Sequence, residues 1–114
     1  MADTYDFEVD QGSTHSFTLT YQDANGSGID LSAHTITMDV RVGFKDSTKA
    51  FTLSNGSGID MTNAATGIIV VTISATQSGA LNDDVYRYDI EADLAGVVTR
   101  LVQGEITVSR EVTD

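Results

Sequence analysis

Apolar and polar residues alternate along most of this chain, which is the pattern of β-strands that turn one face toward a core. One such run places on its apolar side Ile36, Met38, Val40 and Val42. This spacing predicts a long, half-buried strand in the middle of a sheet. Residues 67–74 are denser in β-branched residues than any other stretch, and they predict a strand that is buried on both faces.

A repeated segment supplies turns between the predicted strands. Residues 25–32 read NGSGIDLS, and residues 55–62 read NGSGIDMT. Because Asn and Gly tolerate positive φ, each copy is predicted to reverse the chain between antiparallel strands, and its Ile-Asp pair restarts a strand. Ala95 and Gly96 predict a further hairpin, while Gly104 predicts a bulge or bend within the long last strand.

The remaining pattern also favours short strands. At the start of the chain Tyr5, Phe7 and Val9 alternate with acidic residues. Residues 74–81 are the one stretch where a helix competes, since Ser74 or Thr76 can cap a single turn. With about seven to nine strands, residues 1–114 predict one all-β domain, an immunoglobulin-like antiparallel β-sandwich.

Two tyrosines offer a more specific signature of that fold. Tyr86 and Tyr88 follow an Asn-Asp-Asp corner at residues 82–84. This arrangement resembles the corner before strand F of immunoglobulin-like domains, where a tyrosine hydroxyl bonds to upstream backbone. Tyr88 would then take the position that antibody domains give to a cysteine. The alternative is a pair of ordinary strand tyrosines with one ring in the core.

Composition narrows the classes of partner. The 114 residues include no cysteine, which excludes disulfides and thiolate metal sites. Six basic residues against 17 acidic ones give a net charge of −11, which opposes binding to nucleic acid unless the basic residues are gathered. No single basic patch is predicted. Three basic residues are expected near one connection, Arg41, Lys45 and Lys49. The other three are expected on separate strands, at Arg87, Arg100 and Arg110. The N-terminus has no leader pattern, so we expect synthesis in a cytosol and no membrane partner.

The sequence gives little support for a catalytic site or a metal-binding site. Residues 23–34 match a calcium loop at the first, third, fifth and sixth places, but the twelfth place is His34 instead of a bidentate Glu. The second copy begins with Leu53, which cannot coordinate a metal. His15 and His34 are predicted to be exposed residues at strand ends, outside any nucleophile or metal motif. We therefore expect neither an enzyme nor a bound cofactor or metal.

The order of short motifs is more informative than any single one. These motifs are FEVDQG at 7–12, residues 17–23, GIDL at 28–31, residues 38–41, ISATQ at 73–77, residues 86–91, VTRLVQG at 98–104 and VSREVT at 108–113. Together they resemble small virion proteins of tailed bacteriophages and the immunoglobulin-like domain that opens baseplate upper proteins. The resemblance implies a structural protein of the virion without catalytic residues, made in the host cytoplasm and present as a homo-oligomer or in multiple copies.

Two assembly roles follow from that resemblance. One is a tail, baseplate or fibre connector that binds other virion proteins through strand edges and the ends of the chain. The residues expected to make those contacts are Tyr5, Phe7, Val9, Val108, Arg110 and Val112. The other is a capsid decoration protein on the virion exterior. A carbohydrate-binding adhesion module is a weaker third alternative, because the chain has no tryptophan.

Overall fold

Strands make up most of the chain, as the alternating pattern predicts. The computed structural model describes residues 3–42, 49–81 and 85–109, so the predicted loop at 43–48 and the corner at 82–84 lie outside the described residues. The strands are β1 Asp3–Thr4, β2 Phe7–Asp10, β3 His15–Thr20, β4 Thr35–Val42, β5 Lys49–Asn55, β6 Gly58–Asp60, β7 Ile68–Ile73, β8 Val85–Leu94 and β9 Val97–Ser109. A short 3-10 turn spans Ala64–Thr66, and the helix α1 spans Ala75–Gly79.

The described strands form one continuous, barrel-like sheet. Its order is β1-β9-β8-β4-β5-β6-β7-β3, and β2 pairs with β9 beyond the end of β1. Most neighbours are antiparallel, but β1 and β2 run parallel to β9, and β5 runs parallel to β6. The all-β class is therefore confirmed, whereas the sheet is mixed and the separate layers of a sandwich are not confirmed.

The core lies on the inner side of this sheet. β4 sits between β5 and β8, as its pattern predicts. Its fully buried side chains are Ile36, Met38 and Val40. β7 adds Ile69, Val71 and Ile73. Its opposite face is only half-buried, so the prediction of a strand buried on both faces is wrong. Burial of these apolar side chains is the main force that holds the strands together.

The two copies of the repeated segment take different routes. In the first copy Gln22 forms an antiparallel bridge to Gly28, so the chain reverses as predicted. The second copy joins β5 to β6, which run parallel, and the prediction of a reversal there is wrong. Gly56 and Gly58 both have positive φ, whereas only Gly26 does in the first copy. The additional left-handed residue changes the exit direction of the chain.

Other local predictions agree with the structure. Ser74 caps α1 and forms a capping box with Gln77, whose backbone amide donates to the serine hydroxyl. Ala95 and Gly96 have φ of 52° and 89° and connect β8 to β9 in a tight hairpin. In both cases residues that are neighbours in sequence determine the conformation.

Candidate functional site

Tyr5 and Asp6, the two residues between β1 and β2, hold the N-terminal strands on β9 by specific hydrogen bonds. The Tyr5 amide donates to the Gln103 carbonyl at 2.9 Å, and the Glu105 amide donates to Asp6 Oδ1 at 2.9 Å. A Cβ at Gly104 would lie only 2.1 Å from the Tyr5 carbonyl oxygen. Glycine at this position therefore allows the two backbones to approach closely.

The β8–β9 hairpin has an irregularity, but it does not lie at Gly104, where the sequence predicts a bulge or bend. The register between β8 and β9 shifts between Ile90 and Glu91, whose partners are Val102 and Arg100. Gly104 itself stays in register opposite Tyr88. The sequence signal was a glycine within a strand, and it marks a close backbone approach instead of a bulge.

Tyr88 ties this junction to the core. Its ring is only 4% exposed, and its hydroxyl donates to the Tyr5 carbonyl. Burial raises the pKa of Tyr88, so the hydroxyl remains a donor. This hydrogen bond is not the predicted corner bond, because Tyr88 makes it and its acceptor, Tyr5, lies 83 residues upstream, between β1 and β2. Tyr86 is buried in the core.

An aromatic seam, defined as Tyr5, Phe7, His15 and Phe17, joins the two ends of the sheet. The Phe7 ring lies 4.9 Å from His15 and 5.0 Å from Phe17, and the Tyr5 and Phe17 rings are 5.4 Å apart. No backbone pairing links β2 to β3 within the described strands. Ring packing therefore connects the two ends of the sheet, while the backbone edges of β2 and β3 stay unpaired with each other.

His15 differs from its prediction as an exposed strand end. Its ring stacks on Phe7 with an interplanar angle of 2°, and the side chain is half-buried. Among the described residues its buried Nε2 has no hydrogen-bond partner. The alternation of β3 places His15 on the same inward side as Phe17, which explains the burial.

The predicted interaction residues fall into different environments. Tyr5 is 43% exposed, whereas Phe7, Val9 and Val108 belong to the hydrophobic core. Arg110 and Val112 lie outside the described residues. Tyr5 is therefore the residue of this set whose side chain the structure places at the surface.

Two strand edges are open beside the aromatic seam. Within the described strands β3 pairs with β7 alone, and β2 pairs with β9 alone. Each strand thus has one side without backbone partners in the sheet. Open edges of this kind accept strands from other chains.

The outer side of β4, β5, β8 and β9 gathers the basic residues that were expected to lie apart. We call this surface the charged face and define it as Asp39, Arg41, Lys49, Arg87, Asp89, Glu91, Arg100 and Glu105. It contains every Lys and Arg of the described ranges, and its four basic and four acidic residues cancel formally. The expectation of scattered basic residues is wrong because the register of distant strands aligns them.

A pocket of about 330 Å³ opens on the charged face, next to β1. Its polar lining includes Thr4, Asp6, Arg41, Arg87 and Gln103. Both signs of charge are present around it, so the pocket suits a polar partner that itself carries both signs.

The segment that resembles a calcium loop acts as a turn. Asp23 Oδ1 accepts the backbone amides of Asn25 at 2.9 Å and Ser27 at 3.1 Å. Such local bonds stabilise an Asx turn. Across the described ranges no cluster of three or more His, Cys, Asp or Glu side chains is arranged to hold a metal ion.

Two further findings bear on the class of protein. Within the part of the chain that the structure describes, no helix is both long and apolar enough to cross a membrane. Neither known protein families nor curated proteins give a match to this sequence.

Proposed function

We propose that this protein is a non-enzymatic structural module of a tailed-bacteriophage particle, and that it connects tail or baseplate components. The proposal combines the motif resemblance with one structural observation, the pair of open edges beside the aromatic seam. Within the described strands β2 and β3 each have a single neighbour. Addition of a strand from another virion protein would satisfy the backbone groups at such an edge.

Tyr5 is the proposed anchor of this contact. Its ring packs 5.5 Å from Phe7 and 5.4 Å from Phe17, yet 43% of the residue is exposed. Its backbone is held on both sides, by Gln103 and by the Tyr88 hydroxyl. A rigid, partly exposed aromatic residue contributes strongly to interfaces because little conformational entropy is lost on binding.

Incorporation into particles tests the proposal. Tyr5→Ser removes the anchor. Leu94→Ser is a matched control because Leu94 is also 43% exposed but is the last residue of β8, away from the Tyr88 that bonds to Tyr5. We expect Tyr5→Ser to compete about tenfold less well than the wild type for places in the virion, as for loss of an interface anchor. Leu94→Ser should compete normally.

Purified virions assembled with mixtures of tagged wild-type and variant chains provide the measurement. Circular dichroism of each variant establishes that it folds. Equal incorporation of folded Tyr5→Ser and wild-type chains would contradict the proposed contact. Incorporation over the capsid instead of the tail would support the decoration role and overturn the connector role.

A further inference from the structure

Like charges lie side by side on the charged face. In the register of β4 and β8, Arg41 is opposite Arg87, and Asp39 is opposite Asp89. Like charges directly across an antiparallel pair are unfavourable. On β4 and β8 the face therefore carries a basic row, Arg41 and Arg87, next to an acidic row, Asp39 and Asp89. The basic row is flanked by Lys49 on β5 and by the acidic Glu105 on β9.

Four ion pairs between described residues of this face are loose. Their N···O distances are 3.5 to 3.7 Å, which exceed the roughly 2.8 Å of a charge-assisted hydrogen bond. Partly exposed pairs of this kind contribute at most about 1 kcal/mol each. The charged groups in these four pairs can therefore reorient toward opposite charges on another molecule at little cost.

A second copy of the chain carries the complementary pattern. The basic and acidic rows are two residues apart along their strands, or about 6.7 Å. A two-fold axis can exchange the basic and acidic rows between two copies. This axis lies in the plane of the face, midway between the two rows and perpendicular to the strands. It places Arg41 over the partner subunit's Asp39 and Arg87 over the partner subunit's Asp89. Each unfavourable row then meets a row of opposite charge.

We propose that the charged face is a self-association surface on which two copies of this chain pack face to face about such an axis. The whole chain carries −11, so two copies repel each other in most orientations. The charged face balances four basic residues with four acidic ones, and Asp93 lies just beyond it on the outer side of β8, so that repulsion is reduced locally. Charge thus selects the orientation of the dimer, independently of any role in a virion.

The size of the face sets the expected strength of the dimer. Four strands about 4.8 Å apart and about eight residues long cover roughly 500 Å² per copy. A total of roughly 1,000 Å² is at the lower limit for specific interfaces. We therefore expect a weak dimer whose dissociation constant rises with salt, because ions screen the paired charges.

Complementary charge reversals test the proposed axis. Arg87→Asp alone sets Asp against the partner subunit's Asp89, and Asp89→Arg alone sets Arg against the partner subunit's Arg87. Each variant should dimerise at least about tenfold more weakly than the wild type. Mixing the two variants restores opposite charges at both contacts, so the mixture should form a heterodimer. Sedimentation equilibrium over a concentration series, in low and high salt, measures the dissociation constants of the two single variants and of their mixture.

A control separates this contact from general repulsion. Thr18→Asp/Thr20→Asp adds the same two negative charges as Arg87→Asp, on the exposed side of β3. It should dimerise within about threefold of the wild type. If a reversal at position 87 or 89 unfolds the chain, Arg41→Asp and Asp39→Arg provide the same test on β4. A wild type that stays monomeric near 1 mM, a dimer that Arg87→Asp leaves intact, or a mixture of monomers would each overturn the proposal.

Discussion

Gly104→Ala should release the N-terminal strands from β9. The new Cβ would lie 2.1 Å from the Tyr5 carbonyl oxygen and 2.8 Å from Asp6 Oδ1. Ordinary contacts begin at 3.4 Å, so the backbone at Tyr5 has to retreat by roughly 1 Å. Backbone atoms cannot move aside as a flexible side chain can, and the whole strand has to shift.

Three hydrogen bonds determine the magnitude of this effect. They run from the Tyr5 amide to Gln103, from the Tyr88 hydroxyl to Tyr5, and from the Glu105 amide to Asp6. Each contributes about 0.5–1.5 kcal/mol net, so their joint loss lowers the free energy of unfolding by about 3 kcal/mol. This is a large share of the roughly 5–15 kcal/mol of a typical domain.

Urea unfolding measures the change, with Gly79→Ala as the matched control. A Cβ at Gly79 meets its nearest atom, Gly12 Cα, at an ordinary 3.8 Å, so that variant should be as stable as the wild type or slightly more stable. Hydrogen exchange should also accelerate at the Tyr5 and Glu105 amides in Gly104→Ala. A loss below about 0.5 kcal/mol, or unchanged exchange at those amides, would refute the reasoning.

Two further predictions concern local hydrogen bonds. Ser78 Oγ is buried, donates to the Ser13 carbonyl at 2.7 Å and accepts the Gly12 amide at 3.1 Å, so Ser78→Ala should cost about 2 kcal/mol in urea unfolding, and an unchanged midpoint would contradict this. The Thr62 hydroxyl holds the pKa of Asp60 below its usual range. Asp60 therefore adds stability above its unfolded pKa and loses it as pH falls through its lower folded pKa. Thr62→Ala should raise that folded pKa in an NMR titration, whereas an unchanged pKa would count against the bond.

Features set by neighbouring residues could be predicted from the sequence. The alternation in β4 predicted its inward side chains, and Ser74 was one of the two caps predicted for the turn that forms α1. The Ala95-Gly96 hairpin likewise depends on two adjacent residues. These elements need no knowledge of distant strands, because period and capping act within a few residues.

Features that depend on register between distant strands could not be predicted in this way. Arg41 and Arg87 meet only because β4 and β8 align them, although they are far apart in sequence. The near-identical repeats also diverge, since the second must fit Gly58 against Leu53 between parallel strands. For the aromatic seam the signal was present: Tyr5, Phe7 and Phe17 all lie on the apolar side of the alternating sequence pattern.

Cryo-electron microscopy of intact particles would test the proposed function most directly. Localisation of the chain, with its copy number counted relative to the major capsid protein, distinguishes the possible positions. A connector should appear as a small symmetric ring at the tail end, with the edges of β2 and β3 against a neighbouring protein. Density spread over the capsid lattice, or absence of the chain from particles, would contradict the connector role.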